Sequence, residues 1–493
     1  MTDTMTEGRS THQLVGLFLG PSLAILMMLI GAPTNLSEAG WCTAAVGVLM
    51  AVWWATEAVP IAVTALLPLV LFPLLNIASI QDTAAPYANK VIYLFLGGFI
   101  IAFAMQRWNL HRRIALTVLQ HVGGNGRSLV GGFMLSSAII SMWVMNTSTT
   151  MMLLPIAVSI ITVIHNSVDG MDDKAKQSFQ YSLLLGVAYG STIGGMATLV
   201  GTAPNAMFAA FMQESYGTDI DFSRWMLVGL PLSAMMLPLA WLVLTRWMFK
   251  VDFKTSAEGR ALLKKMKDDM GKITTPETRV AIVFACVASL WIFGDAVGHI
   301  KGLQFLAVVG ELDDSSIAIL GAIALFLVPS GDKGDPILLR WTYAEKLPWS
   351  VLILFGGGLT LASAVTRTGL AEWLGSSLQA VGMLPLAAIV VIAATMIIFL
   401  TELTSNIATT ATFLPVVGAI AIESGFDPIV LTVPVTFAAS CAFMLPVATP
   451  PNAIVFGSGM LTIPKMARAG MMLNIVGVFL VSLVALFLAP KFL

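Results

Sequence analysis

Apolar runs, many of them about as long as a bilayer-crossing helix, alternate with short polar or charged turns along nearly the whole chain. A hydrocarbon core of about 30 Å takes roughly 20 helical residues at about 1.5 Å each. On that measure the sequence predicts eleven full crossings, near 14–31, 41–57, 60–76, 91–107, 180–213, 225–249, 279–298, 315–329, 350–366, 428–457 and 467–490. Two further apolar regions, 127–163 and 385–422, are interrupted by the polar runs MWVMNTSTT and LTELTSN. Each fits two half-length helices better than one span, so a re-entrant hairpin is expected in both. The fold class expected is an all-α integral membrane protein with about 11 transmembrane helices and two re-entrant hairpins.

Composition agrees with that pattern. The chain is 57% hydrophobic and only 11% charged, and its mean hydropathy is +0.87, whereas soluble domains are about a quarter charged. A net charge of −1 gives no basic field for nucleic acid. Cys42, Cys286 and Cys441 and the five histidines show no metal-binding or disulfide spacing. The short polar N-terminus lacks a small-residue cleavage site, so the first apolar run is read as a retained span. Basic residues bias cytoplasmic loops. With the N-terminus inside, the cytoplasmic loops hold Arg112 and Arg113 and the segment 250–278, which carries Lys250, Lys254, Arg260, Lys264, Lys265, Lys267 and Lys272. Glu214, Asp219, Asp221, Glu311, Asp313 and Asp314 fall in outer loops, and the C-terminus is expected outside. Residues 250–278 read as a solvated connector between two halves rather than as a lipid-binding basic patch.

The halves look duplicated. Residues 91–110 match 351–370 at nine of 20 positions, including Phe95 with Phe355, Gly97 with Gly357 and Arg107 with Arg367. The same offset of 260 aligns Asn146 with Asn406, Thr149 with Thr409, Thr150 with Thr410 and Pro155 with Pro415. A third pair, GTAPNA at 201–206 and ATPPNA at 448–453, follows after an offset change of 13. An odd number of crossings separates the copies at 91 and 351, so the repeats are expected to be inverted, an arrangement that puts a transporter's substrate near the midplane. Arg107 and Arg367 would then snorkel to opposite membrane faces.

Non-helical backbone at membrane depth is tolerated only when buried in protein or lining a cavity. Four such places are expected: the tips around Asn146 and Asn406, and the breaks at 202–205 and 449–452, where proline interrupts the helix. Freed carbonyls with Ser, Thr and Asn oxygens suit a bare alkali cation, and freed N–H groups at new helix N-termini suit an anion. Ser, Thr and Gly also serve helix packing, but four motifs in two symmetric pairs point to a binding site. These places hold almost no fixed charge, so a multivalent anion would need mobile cations, sodium foremost. Glu57 and Glu402 are intramembrane carboxyls and hence functional candidates; Glu57 is placed near an inner turn, and for Glu402 capping of freed N–H groups is favoured. Asp295 and His299 are left structural. No nucleophile with a base appears for a membrane enzyme.

The stretch Ala439 to Val455, ASCAFMLPVATPPNAIV, resembles the C-terminal signature of the divalent anion:sodium symporters, carriers of dicarboxylates, citrate or sulfate. Similarity extends through WWATEAVPIAVTALLP at 53–68, ISMWVMNTSTT at 140–150 and TELTSNIATTATFLP at 401–415. The resemblance implies a homodimer in which a transport domain slides like an elevator against a scaffold. On this pattern 1–13 is a cytoplasmic N-terminus, 14–126 and 279–384 are scaffold, 127–249 and 385–493 are transport elements, and 250–278 is the connector. One sodium would meet Ser141, Met145, Asn146 and Gly201, the other Thr401, Thr404, Asn406 and Ala448. Substrate would meet Asn146, Thr147, Thr202, Ser405, Asn406, Ile407, Thr449 and Pro450. Two residues depart from the family's Ser-Asn-Thr tips: Met145 replaces a serine and Ile407 a threonine. The expected activity is sodium-coupled uptake of a C4-dicarboxylate across the inner membrane. Sodium-independent exchange of dicarboxylates or citrate, or carriage of sulfate or another organic anion, stays open.

Overall fold

A computed structural model describes residues 9–121, 124–168, 171–254, 257–298, 312–377 and 384–493; His299, Glu311 and the side chain of Asp295 lie outside them. The first half runs α1 (Thr11–Ile30), α2 (Glu38–Thr56), α3 (Ile61–Thr64), α4 (Leu67–Leu74), α5 (Ile80–Ala84), α6 (Lys90–Arg107), α7 (Leu110–Gln120), α8 (Gly126–Ser141), α9 (Asn146–Ser167), α10 (Asp173–Gly195), α11 (Ala203–Tyr216) and α12 (Phe222–Leu242). After α13 (Ala257–Asp268) the second half runs α14 (Thr275–Gly298), α15 (Asp314–Leu327), α16 (Trp341–Ala344), α17 (Trp349–Arg367), α18 (Leu370–Ser377), α19 (Leu386–Thr401), α20 (Asn406–Glu423), α21 (Pro428–Ser440), α22 (Pro450–Phe456) and α23 (Ile463–Phe487). The series long helix, short helix, hairpin, broken helix, long helix occurs twice, as α6 to α12 and as α17 to α23.

Among the described residues nine helices are long and apolar enough to cross a membrane, so the chain is a multi-pass membrane protein. Seven of them coincide with expected crossings; the other two are α9 and α20, the second arms of the hairpins. These arms are 22 and 18 residues long rather than half-length, because the polar runs interrupt the helix only at 142–145 and 402–405. The crossing expected at 60–76 is split into α3 and α4, with Pro68 restarting the helix at its N-terminal turn. The crossing at 315–329 is a 14-residue helix, about 21 Å long and short of a full span. The expected loops after Arg107 and Arg367 contain α7 and α18.

Charged residues settle where sequence position alone did not put them. Arg107 does not snorkel: its guanidinium pairs with Asp335, donates to the Leu338 carbonyl at 3.3 Å and lies 4.4 Å from the Tyr343 ring centroid. Arg367, by contrast, is exposed. The connector is docked rather than freely solvated. Helix α13 packs on α7 and α9, Lys267 donates to Gln120 Oε1 at 2.8 Å, and Arg113 pairs with Glu277 at 2.9 Å.

Two packed units hold the hairpins. Helix α8 lies against α10, and α19 lies against α21 and α23. The first contact is close enough that a Cβ on Gly194 would collide with the Ala138 backbone, so glycine there lets α10 approach α8. Short α22 packs on both α9 and α10, tying the second break to the first half.

Candidate substrate and cation site

Each hairpin tip ends one helix and starts another, and an asparagine is the first residue of the second. At the first tip Ser141, the last residue of α8, donates from Oγ to Asn146 Oδ1 at 2.5 Å. At the second, Thr401, the last residue of α19, donates to Asn406 Oδ1 at 2.8 Å. Both asparagines therefore have their carbonyl oxygens held by a hydroxyl five residues upstream. No protein acceptor among the described residues takes a hydrogen bond from either Nδ2, so both amide N–H groups are available to a ligand. The tips are fastened from the neighbouring helix as well: Ser191 donates to the Asn146 carbonyl at 2.9 Å, and Thr401 also reaches the Ala439 carbonyl at 3.0 Å.

The two breaks are clamped by a second pair of asparagines in matching register. Asn205 Nδ2 reaches the carbonyls of Gly195, Met196 and Thr198, and Asn452 Nδ2 reaches those of Ala442 and Leu445. Both residues are fully buried. They satisfy carbonyls that the interrupted helices leave without i+4 partners. The second break has an additional anchor. Glu402, 3% exposed, accepts hydrogen bonds from the N–H groups of Phe443, Met444 and Leu445 and from Asn474 Nδ2, all within 2.8–3.1 Å. Capping freed N–H groups is the role the sequence favoured for it.

One cavity of about 540 Å³ joins the tips and breaks. Its walls include Met145, Asn146 and Thr147 from the first tip, Gly201 and Thr202 from the first break, Ser405, Asn406 and Ile407 from the second tip, and Ala448, Thr449 and Pro450 from the second break. Every expected substrate residue is thus on one cavity, including Asn146 and Asn406, which belong to both sets, together with three further expected cation residues, Met145, Gly201 and Ala448. Ser141, Thr401 and Thr404 stand behind it. Thr404 differs from the other two, because its hydroxyl bonds to the Leu400 carbonyl and to Thr409 rather than to Asn406. Around the first tip an oxygen-rich cradle is evident: a Cβ placed on Gly195 would lie 2.6 Å from Asn146 Oδ1 and 3.0 Å from the Gly201 carbonyl. Neutral oxygens of this kind suit a hard monovalent cation, and no group of His, Cys, Asp or Glu fit for a transition metal occurs among the described residues.

The helices α9, α11 and α20 begin at this cavity, so their N-terminal N–H groups add positive potential to its wall; α22 begins there too, but its first two residues, Pro450 and Pro451, carry no N–H. The cavity is also lined by Phe95, Phe99, Pro348 and Val351, which sequence reasoning did not single out, and by Glu57, which it named only as an intramembrane carboxyl near a turn. Phe95 belongs to the repeated LFxGG pattern, but nothing local in the sequence says which face of α6 meets the cavity. Glu57 had been placed at a turn, which is correct: it ends α2 in a left-handed conformation, φ 47 and ψ 37.

The family model described as the sodium:sulfate symporter transmembrane region matches residues 11–490. A sodium-dependent dicarboxylate transporter, SdcS of Staphylococcus saprophyticus, is 41% identical over 485 residues, covering 98% of this chain and 92% of the relative. SdcS of Staphylococcus aureus is 39% identical over 483 residues, with 98% and 92% coverage. Two solved structures share the fold at low identity. The YdaH transporter of Alcanivorax borkumensis has a TM-score of 0.56 at 12% identity, covering 97% of this chain and 98% of its own. MtrF of Neisseria gonorrhoeae has a TM-score of 0.60 at 11% identity, with 98% and 96% coverage. With a family match spanning all but the chain ends and full-length relatives at this identity, the chain belongs to the sodium:sulfate symporter family.

Proposed function

We propose that this protein is a secondary transporter that carries a C4-dicarboxylate of the succinate, malate and fumarate class inward together with sodium. The observation that carries the reading is the paired geometry of the tips. On one cavity of about 540 Å³, two asparagines have Oδ1 held by Ser141 or Thr401 and Nδ2 without a protein partner. The oxygens suit cations and the N–H groups suit a carboxylate at each end of a short dianion. The 41% and 39% identical relatives, named as sodium-dependent dicarboxylate transporters, support the same substrates.

In this mechanism one sodium ion binds among Ser141, Met145, Asn146 and Gly201, and another among Thr401, Thr404, Asn406 and Ala448. Thr404 takes part through its backbone. The cations offset the anion's charge where no basic side chain lines the cavity. The dianion is then held by Asn146, Thr147, Thr202, Ser405, Asn406, Thr449 and Pro450, with Ile407 giving an apolar contact. The two halves act as inverted repeats of a homodimer, N-terminus cytoplasmic and C-terminus outside, and the hairpins and broken helices move as an elevator past the scaffold.

Purified protein in liposomes tests the reading. Succinate uptake should require an inward sodium gradient and accelerate at inside-negative potential if more than two sodium ions accompany each dianion, with about 2.3 kcal/mol available per charge per 100 mV. Asn146→Ala and Asn406→Ala should each nearly abolish uptake while eluting as the parent does in gel filtration. Uptake that ignores sodium but rises with internal dicarboxylate would replace symport by exchange, and full activity in either variant would return that asparagine to a packing role.

A further inference from the structure

Among the described residues Glu57 is the sole charged one on the wall of the cavity, and no hydrogen bond or ion pair among them engages its side chain. It is exposed and lines the cavity together with residues of both tips. Its backbone is left-handed, φ 47, a region that glycine, asparagine and aspartate enter more readily than glutamate. The turn would be easier with another residue, so the side chain's presence calls for a reason beyond the turn. Every other polar group on the wall is a neutral amide, hydroxyl or backbone dipole. A single fixed negative charge in such a cavity acts on ligands according to their charge, and it does so in opposite senses for cation and anion.

We propose that Glu57 is a charge-selectivity residue of the anion site: it penalises each negative charge on the entering anion by a constant factor, favouring dianions over trianions, and correspondingly favours sodium. This rests on the cavity being the anion site. The energy of a point charge in a given potential is proportional to that charge, so removing Glu57's charge should shift the dissociation constants of a monoanion, a dianion and a trianion as a geometric series. A charge roughly 10 Å away across water corresponds to a factor on the order of two per unit of ligand charge.

Asn and Asp both tolerate the left-handed turn and differ chiefly in charge, so Glu57→Asn and Glu57→Asp form the matched pair. Binding of lactate, succinate and, at pH 8, citrate is read as anion-induced thermal stabilisation of the purified protein in sodium, a measurement that needs no transport. In Glu57→Asn the three dissociation constants should fall relative to the parent by about two-, four- and eightfold, and the half-saturating sodium concentration should rise about twofold. Glu57→Asp should keep the parental pattern. Equal shifts for the three anions, or the same shifts in the Asp variant as in the Asn variant, would overturn the proposal. Loss of sodium-driven succinate uptake in the unmutated protein would defeat the transport reading alone, and no stabilisation by any of the three anions would defeat both.

Discussion

Gly195 lies against the Asn146 side chain and the Gly201 carbonyl, and adding one methyl group there tests whether these oxygens bind sodium. A Cβ at this position would lie 2.6 Å from Asn146 Oδ1 and 3.0 Å from the Gly201 carbonyl oxygen, closer than a methyl group tolerates. Neither oxygen can retreat easily. Asn146 is held at 2.5 Å by Ser141 and through its own carbonyl at 2.9 Å by Ser191, and the Gly201 N–H is bound to the Thr198 hydroxyl at 3.1 Å. Overpacking of this kind costs about 1–3 kcal/mol, and here the cost falls on the arrangement proposed to meet the cation. Gly195→Ala should therefore raise the half-saturating sodium concentration for succinate uptake by about five- to 150-fold, at roughly 1.4 kcal/mol per decade. Sodium-dependent thermal stabilisation should shrink in parallel, since a ligand stabilises the state it binds by mass action. Gly47→Ala is the control, because a Cβ there meets only Leu361 Cδ1 at an ordinary 3.6 Å and should leave sodium dependence unchanged. If folded Gly195→Ala protein keeps the parental sodium dependence within twofold, the cradle beside Asn146 is not a sodium site.

Three further predictions concern selectivity, topology and pH. Ile407→Thr restores a hydroxyl on the cavity wall, and a hydrogen bond to a charged group, at roughly 1.5–3 kcal/mol, should lower the succinate Michaelis constant by up to about tenfold in liposome uptake; no gain on succinate would point to a substrate with an apolar end. Single cysteines at exposed positions of α7 and α18, introduced in a background lacking Cys42, Cys286 and Cys441, should react with an impermeant thiol reagent from opposite sides of the membrane, and labelling of both from one side would refute the inverted repeat. On α7, burial holds the His111 imidazole below its ordinary value, the Arg112 charge adds to this, and the hydrogen bond to the Met105 carbonyl at 3.1 Å opposes it. The unfolded chain then binds the proton more readily, so stability is complete above the unfolded value of about 6.5 and declines as pH falls below it. His111→Gln should flatten that acid-side decline in thermal unfolding curves, and an unchanged decline would remove His111 from its cause.

The tips and breaks were legible because the signals are local: Pro204 and Pro450 favour the first turn of a helix, and an uncharged polar run inside an apolar stretch has few other places to go. The duplication sharpened this, since Asn146 and Asn406 mark each other. What escaped were the pairings across the chain. Arg107 was read against lipid, but its partner Asp335 is more than 200 residues away and enters only through the fold. The same holds for Glu57, whose turn was readable but whose place on the cavity depends on how α2, α6 and α17 pack around the tips. Asn205 and Asn452 were grouped with the ligand-bearing breaks. Their side-chain N–H groups are spent on break carbonyls, a role visible only once the register of the broken helix is known. The split of 60–76 was signalled by Pro68 and Pro73 but outweighed by uninterrupted hydropathy.

The carboxylate under the second break has a consequence for exchange chemistry. At the first break the residue aligned with Glu402 is Met142, which lends only a carbonyl, to the Thr198 hydroxyl. At the second, three consecutive non-helical amides, Phe443, Met444 and Leu445, are bound to one buried anion. Hydrogen exchange at those three amides requires that anion to leave, so they should keep their protons about as long as the flanking helices do. The second break then behaves as a fixed corner of the protein despite its irregular backbone. Any local opening of the breaks on the exchange timescale should appear first at 197–200, in the break without the carboxylate.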